Sequence, residues 1–298
     1  MAPLELTHLA GNTWYIPAPS NIGLYVRETE VFLIDSGNDK EAGRQINKLI
    51  TERGWTLRMI VNTHSNADHI GGNAFLQNKT GCSVAATRKE APFIEYPELE
   101  PSFLYGGYPS PAMRNKFLLA KPSRVTDLIE EEGPVPGTPL TALSLPGHFF
   151  GMIGVRTPDG VLFTADALFP PSVLRKYHLF FLYDITAQFS TLERLENENA
   201  EIFVPGHGEP TGSLASLIAE NREKIREILS FVTELCAQGR CFDDLLAETA
   251  RHFDLTMDPN QYILIGSSLR SYLSCLCATG ELEHLAEGGT MIWKRRSL

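Results

Sequence analysis

The chain has 298 residues, 43% of them apolar, with 26 Lys and Arg against 36 Asp and Glu for a formal net charge of −10. That length allows one large domain or a large one with a small companion, and the acidic balance opposes binding to nucleic acid or anionic lipid unless basic residues are segregated. No apolar run reaches membrane-spanning length, the opening M-A-P-L-E-L-T-H-L-A lacks a signal-peptide pattern, and five cysteines without a C-x-x-C pair predict free thiols in a reducing cytoplasm.

Taken in chain order, Thr13–Ile16, Ile22–Val26 and Val31–Asp35 read as short strands. Ala42, Ile46, Leu49 and Ile50 then fall on one face of a helix over Glu41–Arg53. Arg58–Asn62 is an apolar run too short for a helix and reads as a buried strand, followed by a helix over Ile70–Gln77 and a strand at Ser83–Ala86. Residues 92 to 122 mix prolines and glycines with aromatic side chains such as Phe93, Phe103 and Phe117, the composition of a long ordered loop or lid. Those rings either roof a pocket or pack the loop down. Strands follow at Leu140–Leu145, Ile153–Thr157 and Val161–Ala165, the last two joined across P-D-G as a hairpin. A helix over Thr191–Asn199 and a strand at Ile202–Val204 complete this part.

Beyond Thr211-Gly212 the pattern turns helical, with helices predicted over Ala215–Cys236, Phe242–His252 and Gln261–Thr279. The tail E-L-E-H-L-A-E-G-G-T-M-I-W-K alternates about Gly-Gly as a hairpin does. Three helices and a hairpin are the order of a winged helix-turn-helix. We place a boundary near residue 213, giving domains 1–212 and 213–298.

The chemistry concentrates at strand ends. Val61–Asn73, V-N-T-H-S-N-A-D-H-I-G-G-N, gathers His64, Asn66, Asp68 and His69 between an apolar run and two glycines. Three more apolar runs lead into Pro146-Gly147-His148, Ala165-Asp166 and Pro205-Gly206-His207-Gly208. Singly, each residue is as ordinary as a turn histidine or a helix-capping aspartate. Jointly, imidazoles and carboxylates at four strand ends converge on one sheet edge if the strands run alike, and these are the usual ligands of Zn²⁺ and similar ions.

These segments together resemble the metallo-β-lactamase superfamily. The family's H-x-H-x-D-H motif matches T-H-S-N-A-D-H-I-G-G-N except at Asn66, where the family usually has histidine; P-G-H at His148, F-T-A-D-A-L at Asp166 and V-P-G-H-G at His207 match its later motifs, and V-F-L-I-D-S-G with Asp35 its early strand and turn. The resemblance spans roughly residues 8 to 212. It implies an α+β chain built as a four-layer αββα sandwich, here followed by a small, mostly helical, winged-helix-like domain. It also implies one or two divalent ions, Zn before Fe or Mn. His64, Asn66 and His148 correspond to ligands of a first ion, Asp68, His69 and His207 to those of a second, with Asp166 bridging. An amide oxygen is a weaker donor than imidazole, so the second site (Asp68, His69, Asp166, His207) is expected to be the tighter.

The activity so implied is hydrolysis by metal-activated water of a small ester, thioester or lactone, as in glyoxalase II relatives, with Asp68 orienting water or passing a proton. The Lys and Arg clusters expected for a glutathione-type thioester are not evident in the sequence. His178 and Tyr183, in K-Y-H-L-F-F-L-Y-D, are candidates to face substrate. Two rivals stand beside this: a nuclease using the winged helix, and a non-catalytic binding protein whose first site decayed at Asn66. From residue 219 onward there are nine Lys and Arg against twelve Asp and Glu, and Q-Y-I-L-I-G-S-S-L-R-S-Y-L-S-C-L-C offers only Arg270. Nucleic-acid binding needs more positive charge than that, which favours a packing or pocket role for the C-terminal segment. A homo-oligomer is compatible with the sequence, and a membrane partner is not expected.

Overall fold

Neighbouring strand residues point to opposite faces, and here both faces are covered. In a computed structural model, which describes residues 4–296, seven strands form one sheet in sequential order: β1 (Thr7–Ala10), β2 (Thr13–Ile16), β3 (Ile22–Arg27), β4 (Glu30–Ile34), β5 (Thr56–Val61), β6 (Ser83–Thr87) and β7 (Asp127–Ile129). The first four pair antiparallel, whereas β4 to β7 run parallel. The parallel crossovers carry α1 (Lys40–Glu52), α2 (Ala67–Ile70), α3 (Asn73–Thr80), α4 (Ala91–Glu95) and α5 (Leu99–Tyr105). Val31 and Leu33 bury their side chains with Ile46 and Ile50 of α1 and Leu76 of α3, while Phe32 and Ile34 between them face a second apolar layer.

That second layer is shared with a five-stranded sheet of order β12-β11-β10-β9-β8, made from β8 (Gly133–Pro134), β9 (Thr141–Ser144), β10 (Ile153–Arg156), β11 (Val161–Ala165) and β12 (Ile202–Pro205). Ile153, Val155 and Phe163 supply its half of the inter-sheet core. β9 and β10 are antiparallel, as are β10 and β11, while β11 and β12 are parallel, so β9, β11 and β12 run alike. On its outer face Leu143, Leu145 and Leu162 pack under α6 (Pro171–Tyr177) and α7 (Ile185–Glu196). Helix, sheet, sheet, helix is the four-layer sandwich expected from the sequence.

The remaining elements are α8 (Ala215–Leu235), β13 (Arg240–Cys241), α9 (Phe242–His252), α10 (Pro259–Ala278), β14 (Leu282–Glu287) and β15 (Thr290–Arg295). β14 and β15 form the predicted hairpin and β13 joins its edge. Ile225, Ile228, Leu269 and Tyr272 of α8 and α10 belong to the same buried cluster as Leu192 of α7 and Leu162 of β11. Each fully buried aliphatic side chain of this kind contributes about 1.5–3 kcal/mol relative to exposure.

Three local expectations are corrected. The helix expected over Ile70–Gln77 is two helices separated at Gly71-Gly72, where Gly72 packs against the Ser36 carbonyl and Gly43 with no room for a side chain. The helix expected over Thr191–Asn199 begins at Ile185, where Asp184 caps it by accepting from the Ala187 N–H at 2.9 Å. Residues 92 to 122, expected as loop, contain the helical turns α4 and α5 and a 3₁₀ turn at Pro111–Met113. Phe93 and Phe103 pack on Phe150, whereas Phe117 and Leu118 line a cavity, so the aromatic residues serve both purposes foreseen for them.

Candidate active site

The like-directed strands β5, β9, β11 and β12 deliver their following residues to one edge of the sandwich. β5 ends at Val61 and leads to His64; Asn66 then precedes α2, whose first turn carries Asp68 and His69. After β9, Gly147 takes φ +133 before His148. At the end of β11, Ala165 takes φ 49, in the left-handed region that costs a β-carbon about 1 kcal/mol or more, and turns Asp166 inward. Gly206 follows β12, and a β-carbon there would run into Asp166 Oδ1 and the Ala165 backbone. A nearby clamp fixes that loop: Asn21 Nδ2 donates to the carbonyls of Pro205 at 2.9 Å and Gly208 at 2.6 Å.

The hydrogen bonds around the four imidazoles orient them in one sense. His69 Nδ1 donates to Asp35 Oδ2 at 2.8 Å. Thr63 Oγ1 donates to that carboxylate at 2.7 Å and so accepts from His64 Nδ1 at 3.0 Å. His148 Nδ1 donates to the Phe181 carbonyl at 2.9 Å, and His207 Nδ1 to the Pro19 carbonyl at 2.6 Å. With every Nδ1 engaged as a donor, each neutral ring turns an Nε2 lone pair towards the common space. This is how metal-binding histidines are held.

Buried polar atoms are ordinarily paired, yet His64 Nε2, His69 Nε2 and Asp166 Oδ1 have no hydrogen-bond partner among the described residues. His69 Nε2 lies 3.3 Å from Asp166 Oδ1, outside hydrogen-bonding geometry. One ligand atom each from His64, His148 and Asp166 falls within 4.8 Å of the others, and the same holds for Asp68, His69 and His207. Asn66 Oδ1 completes the first group, 2.9 Å from His148 Nε2. The second group opens outward, since the Asp68 side chain is 40% exposed and accepts from Ser20 Oγ at 2.5 Å. The donor set fits divalent cations with borderline preferences, imidazole nitrogen and carboxylate oxygen without thiolate.

The charged groups of the cluster shift one another. Burial pushes the Asp166 carboxyl up, but His207 and His69 outweigh it and hold it well below the usual range. Burial likewise opposes protonation of His69 and His207, yet Asp166 and Asp68 raise both, His69 well above the ordinary imidazole value and His207 to about 9. His64 and His148 are held neutral chiefly by burial. A cation entering this cluster therefore displaces protons.

Two buried carboxyls stand behind these groups, and neither stands out in the sequence. Glu90 accepts from the Ser65 N–H at 3.0 Å and hydroxyl at 2.6 Å through Oε2, and from the Gly151 N–H at 2.6 Å through Oε1, tying the His64 loop to the His148 loop. Burial pushes its carboxyl up to about 7 against those hydrogen bonds. Glu100, on α5, accepts from Asn66 Nδ2 at 2.8 Å; burial holds it well above the usual range, opposed by that amide. No local pattern in Y-P-E-L-E-P-S marks Glu100, because its partner lies 34 residues away.

A cavity of about 590 Å³ opens over the cluster, with Asn66, Asp68, His148, Asp166 and His207 on its floor. Phe117, Leu118, Phe169 and Phe180 give it apolar walls, Gln261 and Leu264 of α10 close one side, and Lys116 and Lys176 add two cations to the lining. His64 and His69 lie beneath, fully buried. The two substrate-facing candidates are elsewhere: His178 stacks on Phe253 with centroids 5.4 Å apart, and Tyr183 stacks on Phe150 at 4.1 Å, and neither lines this cavity. Arg270, the lone cation of the expected recognition helix, lies over the Phe242 ring at 3.7 Å.

Comparisons with known proteins agree with this fold. Among curated relatives, a hydroxyacylglutathione hydrolase of Rhizobium meliloti is 28% identical over 132 residues, 44% of this chain and 41% of that protein. One from Cereibacter sphaeroides is 32% identical over 129 residues, 43% of this chain and 40% of that protein. The chain thus spans less than half the length of these two relatives. In overall fold it is similar to a beta-lactamase domain protein from Burkholderia ambifaria (TM-score 0.75, 17% identity, 98% of this chain and 94% of that one). It is also similar to a metallo-beta-lactamase family protein from Thermus thermophilus (TM-score 0.72, 20% identity, 99% of both chains). The profile of the Metallo-beta-lactamase superfamily matches residues 15–207, which include all seven predicted ligand positions, and the chain belongs to that superfamily.

Proposed function

We propose that the protein is a metal-dependent hydrolase of a small thioester, ester or lactone bearing an anionic group. The observation that carries this is the set of four imidazoles, each fixed through Nδ1, whose Nε2 atoms gather with Asp166 and Asp68 at and beneath the floor of one cavity. His64, Asn66, His148 and Asp166 would hold one ion, and Asp68, His69, His207 and Asp166 another. The second is the tighter, since its donors are all imidazole or carboxylate. Such ions, Zn²⁺ foremost, supply Lewis-acid polarisation and lower the pKa of water from about 15.7 to around 7.

The chain's own groups do the rest. Asp68, exposed to the cavity and steadied by Ser20, orients the attacking water and returns a proton to the leaving group. The apolar walls keep bulk water off the acyl group. Lys116 and Lys176, far apart in sequence, attract a carboxylate or phosphate on the substrate. The curated relatives named for hydroxyacylglutathione hydrolysis support placing thioesters first. Nucleic acid is a poor fit, because α10 buries Ile263, Ile265 and Leu269 and commits Arg270 to Phe242.

The test combines elemental analysis of the purified protein with turnover of acyl thioesters, p-nitrophenyl esters and bis-p-nitrophenyl phosphate. Expected are bound divalent metal and thioester or ester turnover, lost in Asp68→Ala. Metal-free protein that stays inactive after reconstitution would favour a binding role. Phosphodiester turnover alone would favour a nuclease.

A further inference from the structure

Asn66 raises a problem that the family motif does not answer. Its amide oxygen is neutral and can rotate away, for an amide presents an oxygen or an NH₂ group to the same neighbour. In this chain the choice is made by Glu100. This side chain arrives from α5, in the segment between β6 and β7 that carries none of the motif ligands, and only 5% of the residue is exposed. Its Oε1 accepts from Asn66 Nδ2 at 2.8 Å, which leaves Asn66 Oδ1 facing His148 Nε2 at 2.9 Å. His148 Nδ1 already donates to the Phe181 carbonyl, so the neutral ring offers only a lone pair in return. Two acceptors pointed at each other across 2.9 Å have no hydrogen to share, and a cation to one side of the pair, bound by both, would resolve the conflict. With the amide turned round, Nδ2 would donate to His148 Nε2, and Oδ1 would oppose an oxygen of the ionised Glu100 carboxylate; the first ion would then lose two donors together.

We propose that Glu100 is a positioning residue for the first cation, holding Asn66 with its oxygen towards the site and polarising that amide so that Asn66 and Glu100 together replace the usual histidine. This rests on the two-cation reading given above. Partners of this kind behind a ligand are worth about 10–100-fold in metal affinity, and hydrogen bonding at one end of an amide strengthens donation at the other.

The experiment is a Co²⁺ titration of the metal-free protein, followed by its visible spectrum and by chelator competition, on the parent, Glu100→Gln, Glu100→Ala, Asn66→Ala and the double variant Asn66→Ala/Glu100→Ala. Melting of each metal-free variant reports on folding. The parent is expected to fill a tighter and then a weaker site. Glu100→Ala weakens the weaker step about tenfold or more and leaves the tighter one within about twofold. Glu100→Gln, which keeps the shape and one acceptor, falls between. In the Asn66→Ala background, loss of Glu100 changes the weaker step less than about twofold, because the residue acts through the amide. An unchanged weaker step in folded Glu100→Ala overturns the proposal, and so does an equal loss in the Asn66→Ala background. A parent that takes up fewer than two ions overturns the two-cation reading itself, and the parent titration shows this before any variant is compared.

Discussion

Asp35→Asn tests how the second cation site is held without altering any ligand. Asp35 sits at φ 60 just after β4, a left-handed conformation that aspartate tolerates better than most residues. Its carboxylate accepts three hydrogen bonds: from the Thr63 N–H at 2.8 Å, the Thr63 hydroxyl at 2.7 Å and His69 Nδ1 at 2.8 Å. An amide of the same shape has a single accepting oxygen. If that oxygen stays towards His69, the NH₂ group opposes the Thr63 N–H. If it turns towards the Thr63 N–H, the NH₂ group faces His69 Nδ1, which must then accept, and the ring's proton moves to Nε2, where the metal should bind. The first arrangement costs stability, about 1–3 kcal/mol for a buried donor left opposed. The second costs metal affinity, about 10–100-fold, equivalent to roughly 1.4–2.7 kcal/mol. Zn²⁺ competition with a chromophoric chelator measures the affinity, and urea unfolding of the metal-free protein measures the stability. Asp35→Asn is expected to lose on at least one of the two. A variant that equals the parent in both would refute the tautomer argument for His69.

Other outcomes follow from the same geometry. Asp68→Ala is expected to lower kcat by about 10²–10⁴ with the metal-free melting temperature within a few degrees of the parent, as suits a side chain 40% exposed; steady-state kinetics and calorimetry check this. Lys116→Ala and Lys176→Ala should raise KM for anionic thioesters while sparing an uncharged p-nitrophenyl ester, with the difference shrinking at high salt. Burial raises the Glu90 carboxyl from 4.5 to about 7. A raised pKa in the folded state means stability fully present below about pH 4.5 and lost as pH rises through 7, an effect of about 3 kcal/mol for this group. Urea unfolding of the metal-free protein at about pH 5 and about pH 8 should show that loss, and Glu90→Gln should flatten it. Stripping the metal should lower the melting temperature reversibly, since an ion present at about 100 times its Kd adds about 2.7 kcal/mol; scanning calorimetry with and without chelator checks it.

The proposed ligands are legible in the sequence because each one follows a short apolar strand closely, so local pattern and position in the sheet coincide. Asp166 after Val161–Ala165 and His207 after Ile202–Pro205 are such cases. The hairpin at the end is legible for the same reason, with Gly288 and Gly289 between alternating strands. What the sequence hides depends on docking between distant segments. Glu100, Lys116 and Lys176 reach the cavity only because α5 and the turns after it fold over the sheet edge while α6 approaches from the other side. The start of α7 is hidden differently. Thr186 and Phe189 have only middling helix propensity, and the aromatic run before Asp184 looks like loop, so the Asp184 cap is the main local signal. His178 is hard to place from sequence because the aromatic residues around it are as consistent with a pocket as with a core, and its packing partner Phe253 lies 75 residues away.

The distribution of the proposed ligands over the two sheets explains why the site makes such demands on its surroundings. His64, Asn66, Asp68 and His69 belong to the loop after β5 in the seven-stranded sheet, whereas His148, Asp166 and His207 follow β9, β11 and β12 in the other. Neither sheet alone completes either candidate group, so the spacing of the donors is set by how the sheets dock. Several contacts fix that docking at the site itself: Ile153 N–H donates to the Thr63 carbonyl at 2.9 Å, Asn21 N–H to the Gly206 carbonyl at 2.7 Å, and Glu90 spans Ser65 and Gly151. Each is a hydrogen bond from one sheet's strand ends or loops to the other's, and each is made by a residue outside the proposed ligand set. An ion bound across this edge and the inter-sheet core beneath it therefore favour the same arrangement, and a change in one is felt in the other. For this reason the residues behind the ligands, Asp35, Glu90 and Glu100, are the ones whose replacement should separate metal affinity from folding.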